Sequence, residues 1–514
     1  MIQLYRISWG EFTKRSNNLA QALLDGGTKP GDKIAFYMRN CPEYGEGIAA
    51  GFKARLTHVN VNYRYVANEL IYLMDNSDAT VVVYSAEFAE QVREIRDELP
   101  GVKQWVEVKK EGQIGNDDAL AYDDLATHGD GNPLDIERSP DDLLMIYTGG
   151  TTGMPKGVMW RHQDIWCATG AGGNPRIGIP PFDNLDNYIE QLQKDPAPVN
   201  LPLPPIMHGT GLVSTIGAMM HGGTCITLTE RSFDAEEALA AIDAHKVTAT
   251  TIVGDAFARP MVEALDANPG KYDISSLRSM NSSGVMWTRA IKAGLLRHNE
   301  NLLLADAFSS SEAIGLGASV MSKDQEIEVA KFTLGPSCKV FDENMQEVGV
   351  GKSGMVGVAG YLPIGYYKDE AKSVKTFPMI DGVRYSIPGD WVRIEEDGSL
   401  TLLGRGSNCI NTAGEKVYPE EVEEALKHHE SVSDALVVGL PDDKWGQSVN
   451  AVVSLHEGCT LDEDALKVFI RKELAGYKSP KRILAKNDLE RAPNGKANYK
   501  LIRTYVAGQL GVEI

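Results

Sequence analysis

The sequence predicts an α/β protein in two parts, a large N-terminal portion over 1–404 and a compact α+β unit over 405–514. Two features of the pattern lead there. Short β-branched apolar runs alternate with amphipathic stretches for most of the length, and the texture changes near Leu403-Gly404-Arg405-Gly406-Ser407. Strands alternating with helices imply parallel sheet, because parallel neighbours need a crossover and a helix is its usual form. Helices are expected at 11–24, 86–99, 234–245 and 256–265, and strands at 33–38, 80–84, 143–148, 224–229, 247–253 and 302–308. The stretches 110–142 and 171–200, rich in Gly, Pro, Asn and Asp, are expected to cover the surface. Before the change in texture, 356–360 and 392–403 read as short antiparallel strands. After it a helix opens at Tyr418-Pro419-Glu420-Glu421, where Pro and acidic residues suit a first turn. Strands follow at 435–440 and 450–455. A second helix starts from the capping-box spacing of Thr460-Leu-Asp-Glu463 and ends at Gly476.

The length of 514 residues suggests roughly three to four folding units. With 51 Lys and Arg against 71 Asp and Glu, the formal charge of −20 argues against a nucleic-acid or anionic-membrane partner, which clustered cations would serve. Hydrophobic residues at 43% are enough for sizeable cores, so global disorder is excluded. The first residues lack a basic segment followed by an apolar run and a small-residue cleavage site, so no secretory signal is expected. The longest apolar stretch, 211–228, contains His221 and Gly222-Gly223 and reads as a buried helix running into a strand, so no transmembrane segment is expected. Six cysteines (41, 167, 225, 338, 409 and 459) form no CxxC pair, which fits a reduced, cytoplasmic setting with mostly buried thiols.

The strongest local signal is Tyr147-Thr-Gly-Gly-Thr-Thr-Gly-Met-Pro-Lys-Gly-Val158, directly after a strand candidate. Small residues let backbone N–H groups approach phosphate oxygens, hydroxyls add donors and Lys156 adds a positive charge. It is not a Walker A loop, because Lys does not directly follow the second Gly. By contrast, Gly349-Val-Gly351-Lys-Ser-Gly354 satisfies G-x-G-x-x-G, but a strand pattern follows it where a dinucleotide fingerprint must open a helix. A hairpin turn is the expected outcome.

The 147–158 segment resembles the signature of the acyl-adenylate-forming enzymes: acyl-CoA synthetases, peptide-synthetase adenylation domains and beetle luciferases. The resemblance runs in order over nearly the whole chain. Leu201-Pro-Leu-Pro-Pro-Ile-Met-His208 is similar to the acyl-pocket motif and Asp306-Ala-Phe-Ser-Ser-Ser311-Glu312 to the Tyr-Gly-x-Thr-Glu segment. Tyr385-Ser-Ile-Pro-Gly-Asp390-Trp is similar to the ribose motif, Gly404-Arg405 to the hinge start, and Pro493-Asn-Gly-Lys496 to the C-terminal lysine motif. The resemblance implies a large N-terminal domain of stacked α/β sheets plus a β-rich subdomain, with a small mobile α+β C-terminal domain.

It also implies a chemistry. A carboxylate and Mg·ATP give acyl-AMP and pyrophosphate, and CoA then takes the acyl group. Activation brings one anion against another, so the site must neutralise charge and align the partners. Glu312 is expected to hold Mg²⁺, a hard cation suited to oxygen ligands. Ser311, Thr148, Gly149, Gly150, Thr151, Thr152, Gly153 and Lys156 are expected at the phosphates. Ser283, Gly284 and Phe308 are expected around the adenine, Asp306 in the nucleotide site, Asp390 at the ribose, Arg405 at the ribose or a phosphate, and Lys496 at the α-phosphate and the attacking carboxylate. His208 and Gly284 are expected at the acyl pocket, Ser407 at the hinge, and Gly414, Glu415 and Lys416 in a loop presented for thiolation.

The sequence departs from the family pattern at Ser407 (often Asp or Lys), at Phe308 (usually Tyr) and at Ser309 (usually Gly). Ile7-Ser-Trp-Gly-Glu-Phe12 ordinarily follows several tens of residues, so part of an N-terminal edge is expected to be missing. Strings at 148–160, 253–260 and 409–422 are most similar to bacterial fatty-acyl-CoA synthetases, especially actinobacterial ones acting on long-chain or steroid side-chain acids. His428-His429 is expected on a solvated helix face and Asp255 as a helix N-cap. Transfer to a carrier protein, luciferase-like oxygenation and a nucleotide-binding module without turnover stay open as alternatives, as do chain length and oligomeric state, for which a homodimer is the analogy.

Overall fold

The computed structural model describes residues 6–150, 153–170, 182, 184–194, 197–284, 287–323, 331–412, 415–442, 446–474, 476–492 and 495–513. Among them three sheets organise the chain. The first has eight strands in the order Gly365–Tyr366, Gly153–Arg161, Leu143–Gly150, Thr57–Asn60, Lys33–Tyr37, Ala79–Ser85, Gln104–Val108 and Leu120–Ala121. From Leu143–Gly150 to Leu120–Ala121 all neighbours are parallel, as the alternating pattern implies. Side chains alternate across the sheet, so Ile34 and Phe36 enter one core while Ala35 and Tyr37 enter another on the opposite face. A sheet buried on both faces needs a near-continuous apolar strand, which is what these residues supply.

The second sheet is a single hydrogen-bonded surface of thirteen strands. Its parallel half comprises Val199–Pro202, Ala249–Ile252, Ser279–Ser283 and Leu303–Ser310, with helices Ala235–His245, Asp255–Ala267 and Arg289–His298 packed on it. Its other half is antiparallel and runs from Ala313–Met321 through Lys331–Leu334 into Leu400–Arg405, Asp390–Ile394 and Ser353–Ala359. The β-rich part is therefore continuous with an α/β sheet through Lys331–Leu334. The 349–354 segment ends in the strand Ser353–Ala359 and opens no helix.

The third sheet belongs to the C-terminal portion: Glu415–Val417, Ile410–Thr412, Gly446–Leu455, Val432–Asp442 and the parallel Arg482–Ala485. Helices Pro419–Lys427 and Glu463–Glu473 cover one face and Tyr499–Leu510 the other. Sheet membership thus changes between Arg405 and Ile410.

Several expectations need correction. The strand expected at 224–229 is only Thr224–Cys225, because the Glu237 carboxylate takes the Thr229 N–H and hydroxyl and holds that segment to a helix. The second C-terminal helix starts at Glu463, since Asp462 and not Thr460 caps it by accepting from Ala465 N, and it stops at Glu473, short of Gly476. An anionic cap at the positive helix end explains the choice. His428 and His429 lie past the end of Pro419–Lys427; His428 is exposed as expected, whereas His429 is half-buried and packs edge-on against Phe469. Asp255 is the first residue of its helix and not its cap; its carboxylate accepts from the backbone and hydroxyl of Thr288 and from Arg259. Inside the polar stretch 110–142, helix Tyr122–Thr127 buries Tyr122 and Ala126. All six cysteines are free thiols; Cys41, Cys167 and Cys338 are buried.

Candidate active site

The two large sheets and the C-terminal portion surround one cavity of about 2440 Å³. The parallel strands deliver their residues to its floor at their C-terminal ends, the usual place for a ligand in open α/β sheets. Thr148 lies near the C-terminal end of the strand Leu143–Gly150 and lines the cavity. The expected Gly/Thr loop is largely a hairpin, since Leu143–Gly150 pairs antiparallel with Gly153–Arg161 and Thr148 faces Lys156 in register. Thr151 and Thr152 fall outside the described residues. Lys156 does not line the cavity; it is ion-paired with Asp369.

Ser283 closes the strand Ser279–Ser283, and Gly284 follows with φ +97°, a left-handed conformation that favours glycine. A β-carbon there would come no nearer than 3.9 Å to Thr210 or Val253, so backbone geometry and not space requires the glycine. Both residues line the cavity.

Strand Leu303–Ser310 turns into Ala313–Met321 and exposes Asp306, Phe308, Ser311 and Glu312 to the same space. Phe308 packs on Phe332 at 5.4 Å between ring centroids. Ser309 has a use of its own here: its hydroxyl accepts from Gly315 N. Glu312 is held on three sides. Its Oε1 accepts from Tyr366 OH at 2.8 Å, its carbonyl accepts from the Ser386 hydroxyl at 2.6 Å, and its N–H donates to Ser310 Oγ. The Ser311 carbonyl accepts from Trp160 Nε1 at 2.9 Å. Such support fixes a carboxylate that must meet charge without reorganising. Among the described residues no cluster of three or more His, Cys, Asp or Glu forms a metal cage. One carboxylate with neighbouring hydroxyls fits Mg²⁺, which keeps waters and phosphate oxygens as its other ligands.

Asp390 is buried at the start of Asp390–Ile394, in register with Arg405 on the neighbouring strand. Ser407 lies in the single turn Gly406–Asn408 that leaves the second sheet. Glu415 and Lys416 are in strand Glu415–Val417, hairpinned with Ile410–Thr412, and Gly414 falls outside the described residues. Asp390 and Lys496 line the cavity. The lysine sits between Ala492, whose N–H donates to the Lys496 carbonyl at 2.9 Å, and helix Tyr499–Leu510. The C-terminal portion therefore sends Lys496 to the cavity that His208, Thr148 and Glu312 also line.

His208 precedes helix Gly209–Met220 and lines the cavity. Burial, and then the positive charges of Lys496 and Arg64, push its imidazole down to about 4, so it is neutral at physiological pH. Between pH 4 and 6.5 the unfolded chain binds more protons at this site than the folded one, so its contribution makes stability rise with pH across that window and level off above it. The catalytic ratio of His208→Gln to wild type is expected to stay flat from pH 6 to 8. A step in that ratio near 6.5 would place an ionising histidine at the site.

Two groups, one lining the cavity and one behind its Asp306, escaped the sequence reading. Tyr366, 54 positions after Glu312, braces it. Lys292 is 6% exposed and ion-paired with Asp306. Its only sequence signal is a lysine on the helix face that buries Ile291, Leu295 and Leu296.

A two-part chain that encloses a glycine-edged cavity lined by a C-terminal lysine and a braced glutamate is the architecture of an adenylate-forming enzyme. The family model for AMP-binding enzymes matches residues 2–367, and that for the AMP-binding enzyme C-terminal domain matches 421–496. The chain belongs to the AMP-binding enzyme family. It is 41% identical over 506 residues to a 3-oxocholest-4-en-26-oate–CoA ligase of Rhodococcus rhodochrous, covering 96% of this chain and 90% of that protein. It is 39% identical to a medium/long-chain-fatty-acid–CoA/3-oxocholest-4-en-26-oate–CoA ligase of Mycolicibacterium smegmatis, covering 96% and 91%. In fold it is similar to ATP-bound MatB of Rhodopseudomonas palustris, with TM-score 0.81 and 23% identity over 98% of this chain and 94% of that one.

Proposed function

We propose that this protein is an ATP-dependent acyl-CoA ligase that joins a carboxylate to AMP with release of pyrophosphate and then passes the acyl group to CoA. The observation that carries the reading is the convergence of Lys496 from the C-terminal portion with Thr148, His208 and Glu312 on one cavity. The full-length similarity to CoA ligases supports the same reading. In it, Thr148 and Ser311 contact the phosphates, and the 149–153 backbone borders them. Adenine lies against Phe308, Gly284 and Ser283, and Asp390 and Arg405 take the ribose hydroxyls. Glu312 would hold Mg²⁺, which neutralises phosphate charge when bound. Lys496 bridges the attacking carboxylate and the α-phosphate as charge builds between them. The boundary near residue 404 then separates 1–404 from a C-terminal domain that turns about Ser407, withdrawing Lys496 and presenting Gly414, Glu415 and Lys416 for thiolation. The protein is expected to consume ATP with carboxylate and CoA and to yield acyl-CoA and AMP in equal amounts. ADP in place of AMP would contradict the reading.

The acid is proposed to be a medium- or long-chain fatty acid or a steroid side-chain acid. Thr210, Val213, Ser214 and Gly217 recur at helical spacing on the cavity face of Gly209–Met220. From His208 to Gly217 that helix advances about 13 Å, enough for an extended acyl chain. A β-carbon on Gly217 would meet nothing within 4 Å, so this position leaves room at depth. Gly217→Leu is expected to lower kcat/KM for long and fused-ring acids by about 10–100-fold while short acids change less than about twofold, since filling a hydrophobic pocket discriminates on that scale. Equal effects across the series would show that Gly217 does not bound the acyl site.

A further inference from the structure

We propose that Lys292 is a positioning residue for nucleobase selection: paired with Asp306, it holds that carboxylate as an acceptor at the cavity wall, so that the site takes a 6-aminopurine over a 6-oxopurine. The inference rests on the nucleotide reading of the cavity given above.

A lysine at 6% exposure is costly unless its charge is met. Here the ammonium bonds Asp306 Oδ2 and lies 5.5 Å from the centre of the buried Trp287 ring. Asp306 is itself buried, yet it lines the cavity. Phe308 lies two positions on, on the same face of the strand, and also lines it. A carboxylate beside an aromatic ring on one strand face suits a purine, with the ring to stack on and the carboxylate to meet its edge. Because Oδ2 is held by Lys292, the acceptor offered to a ligand is Oδ1. An ionised carboxylate only accepts. It therefore matches the 6-amino donor of adenine and opposes the 6-oxo acceptor of hypoxanthine.

The surroundings show why the lysine is needed. Asp255, engaged with Arg259 and Thr288, and Glu424, paired with Lys427 on helix Pro419–Lys427, face Asp306 from two other elements, and both are acidic. Burial and these two charges push the Asp306 carboxyl above its ordinary range, and Lys292 is the charge that opposes them. Without it the carboxyl takes up a proton, becomes a donor and reverses its preference toward a 6-oxo group.

The test is direct binding of AMP and of IMP by calorimetry, which requires no turnover. The wild type is expected to prefer AMP by at least about tenfold. Lys292→Met should erase most of that preference near pH 6.5 and regain part of it toward pH 9, as Asp306 ionises. Lys292→Arg should keep it. The double variant Lys292→Met/Asp306→Asn, which offers an uncharged amide oxygen, should recover AMP affinity with no pH dependence. Thermal unfolding of each variant shows that it is folded. Equal loss of AMP and IMP affinity in Lys292→Met, at every pH, would overturn the proposal, as would a wild type indifferent to the base. If AMP selectivity depends on Lys292 as described but no acid supports adenylation, the inference stands and the ligase reading fails.

Discussion

Lys496→Ala is expected to reduce carboxylate-dependent ATP–pyrophosphate exchange by at least about 10²–10³-fold, the scale on which loss of one preorganised charged donor acts. Transfer of the acyl group from supplied acyl-adenylate to CoA should stay within a few-fold of wild type. The asymmetry follows from the proposed geometry. Lys496 lines the same cavity as His208, whose imidazole pKa is lowered by burial first and then by the ammonium's positive charge, and in the proposed site the lysine stands where a carboxylate and an α-phosphate would meet. Thiolation is assigned to the other end of the same C-terminal sheet, at the hairpin of Ile410–Thr412 and Glu415–Val417. The two half-reactions, measured separately on one preparation, check it. Equal loss in both would contradict a domain that serves them with different faces.

Arg15→Met is expected to destabilise the fold by about 3–5 kcal/mol, because it leaves a buried carboxylate without its cation. Helix Trp9–Asp25 packs on Pro42–Lys53, and between them Arg15 Nε bonds Glu46 Oε1 at 2.8 Å with both side chains buried. Tyr122 OH donates to the other Glu46 oxygen at 3.0 Å, and Arg15 reaches Asp123 at 2.9 Å. Burial raises the Glu46 pKa despite Arg15. Without Arg15 the carboxyl takes up a proton more readily, which holds the cost to the lower part of that range at acidic pH. Urea unfolding at pH 5.5 and 8 measures it, and the loss should be larger at pH 8. A double variant with Glu46→Met should recover much of the stability, since removing both charges is far milder than removing one. A loss under about 1 kcal/mol in Arg15→Met would show that the ion pair is not structural.

That ion pair also marks where sequence reading stops. Strands such as Lys33–Tyr37 and Ala79–Ser85 were legible because burial on both sheet faces demands near-continuous apolar residues, a local property. The stretch 110–142 was misleading, because its composition speaks of loops while Tyr122, one residue within it, closes a network across 76 positions to Glu46. The same holds at the cavity. Thr148, His208, Glu312, Asp390 and Lys496 were legible because each lies in a short string whose order along the chain resembles the family's. Tyr366 bracing Glu312, and Lys292 paired with Asp306, are not in such strings and become visible only when separate elements meet. Lys156 shows the converse. Its string reads as phosphate binding, yet the hairpin carries the side chain to Asp369.

The chain's acidic balance, −20 overall, is no obstacle to a nucleotide. The field of the whole surface governs encounter with extended polyanions, whereas one triphosphate needs only a few local groups, which the proposed site draws from Lys496 and backbone N–H groups at strand ends.

The central claim is carboxylate activation by adenylation, and the most direct measurement is ATP–pyrophosphate exchange without CoA, across aliphatic acids of increasing length and 3-oxocholest-4-en-26-oate. Exchange is expected only when an acid is present, strongest for medium- and long-chain or steroid acids, and adding CoA should convert the bound adenylate to thioester and AMP. No exchange with any acid in the series would contradict the account.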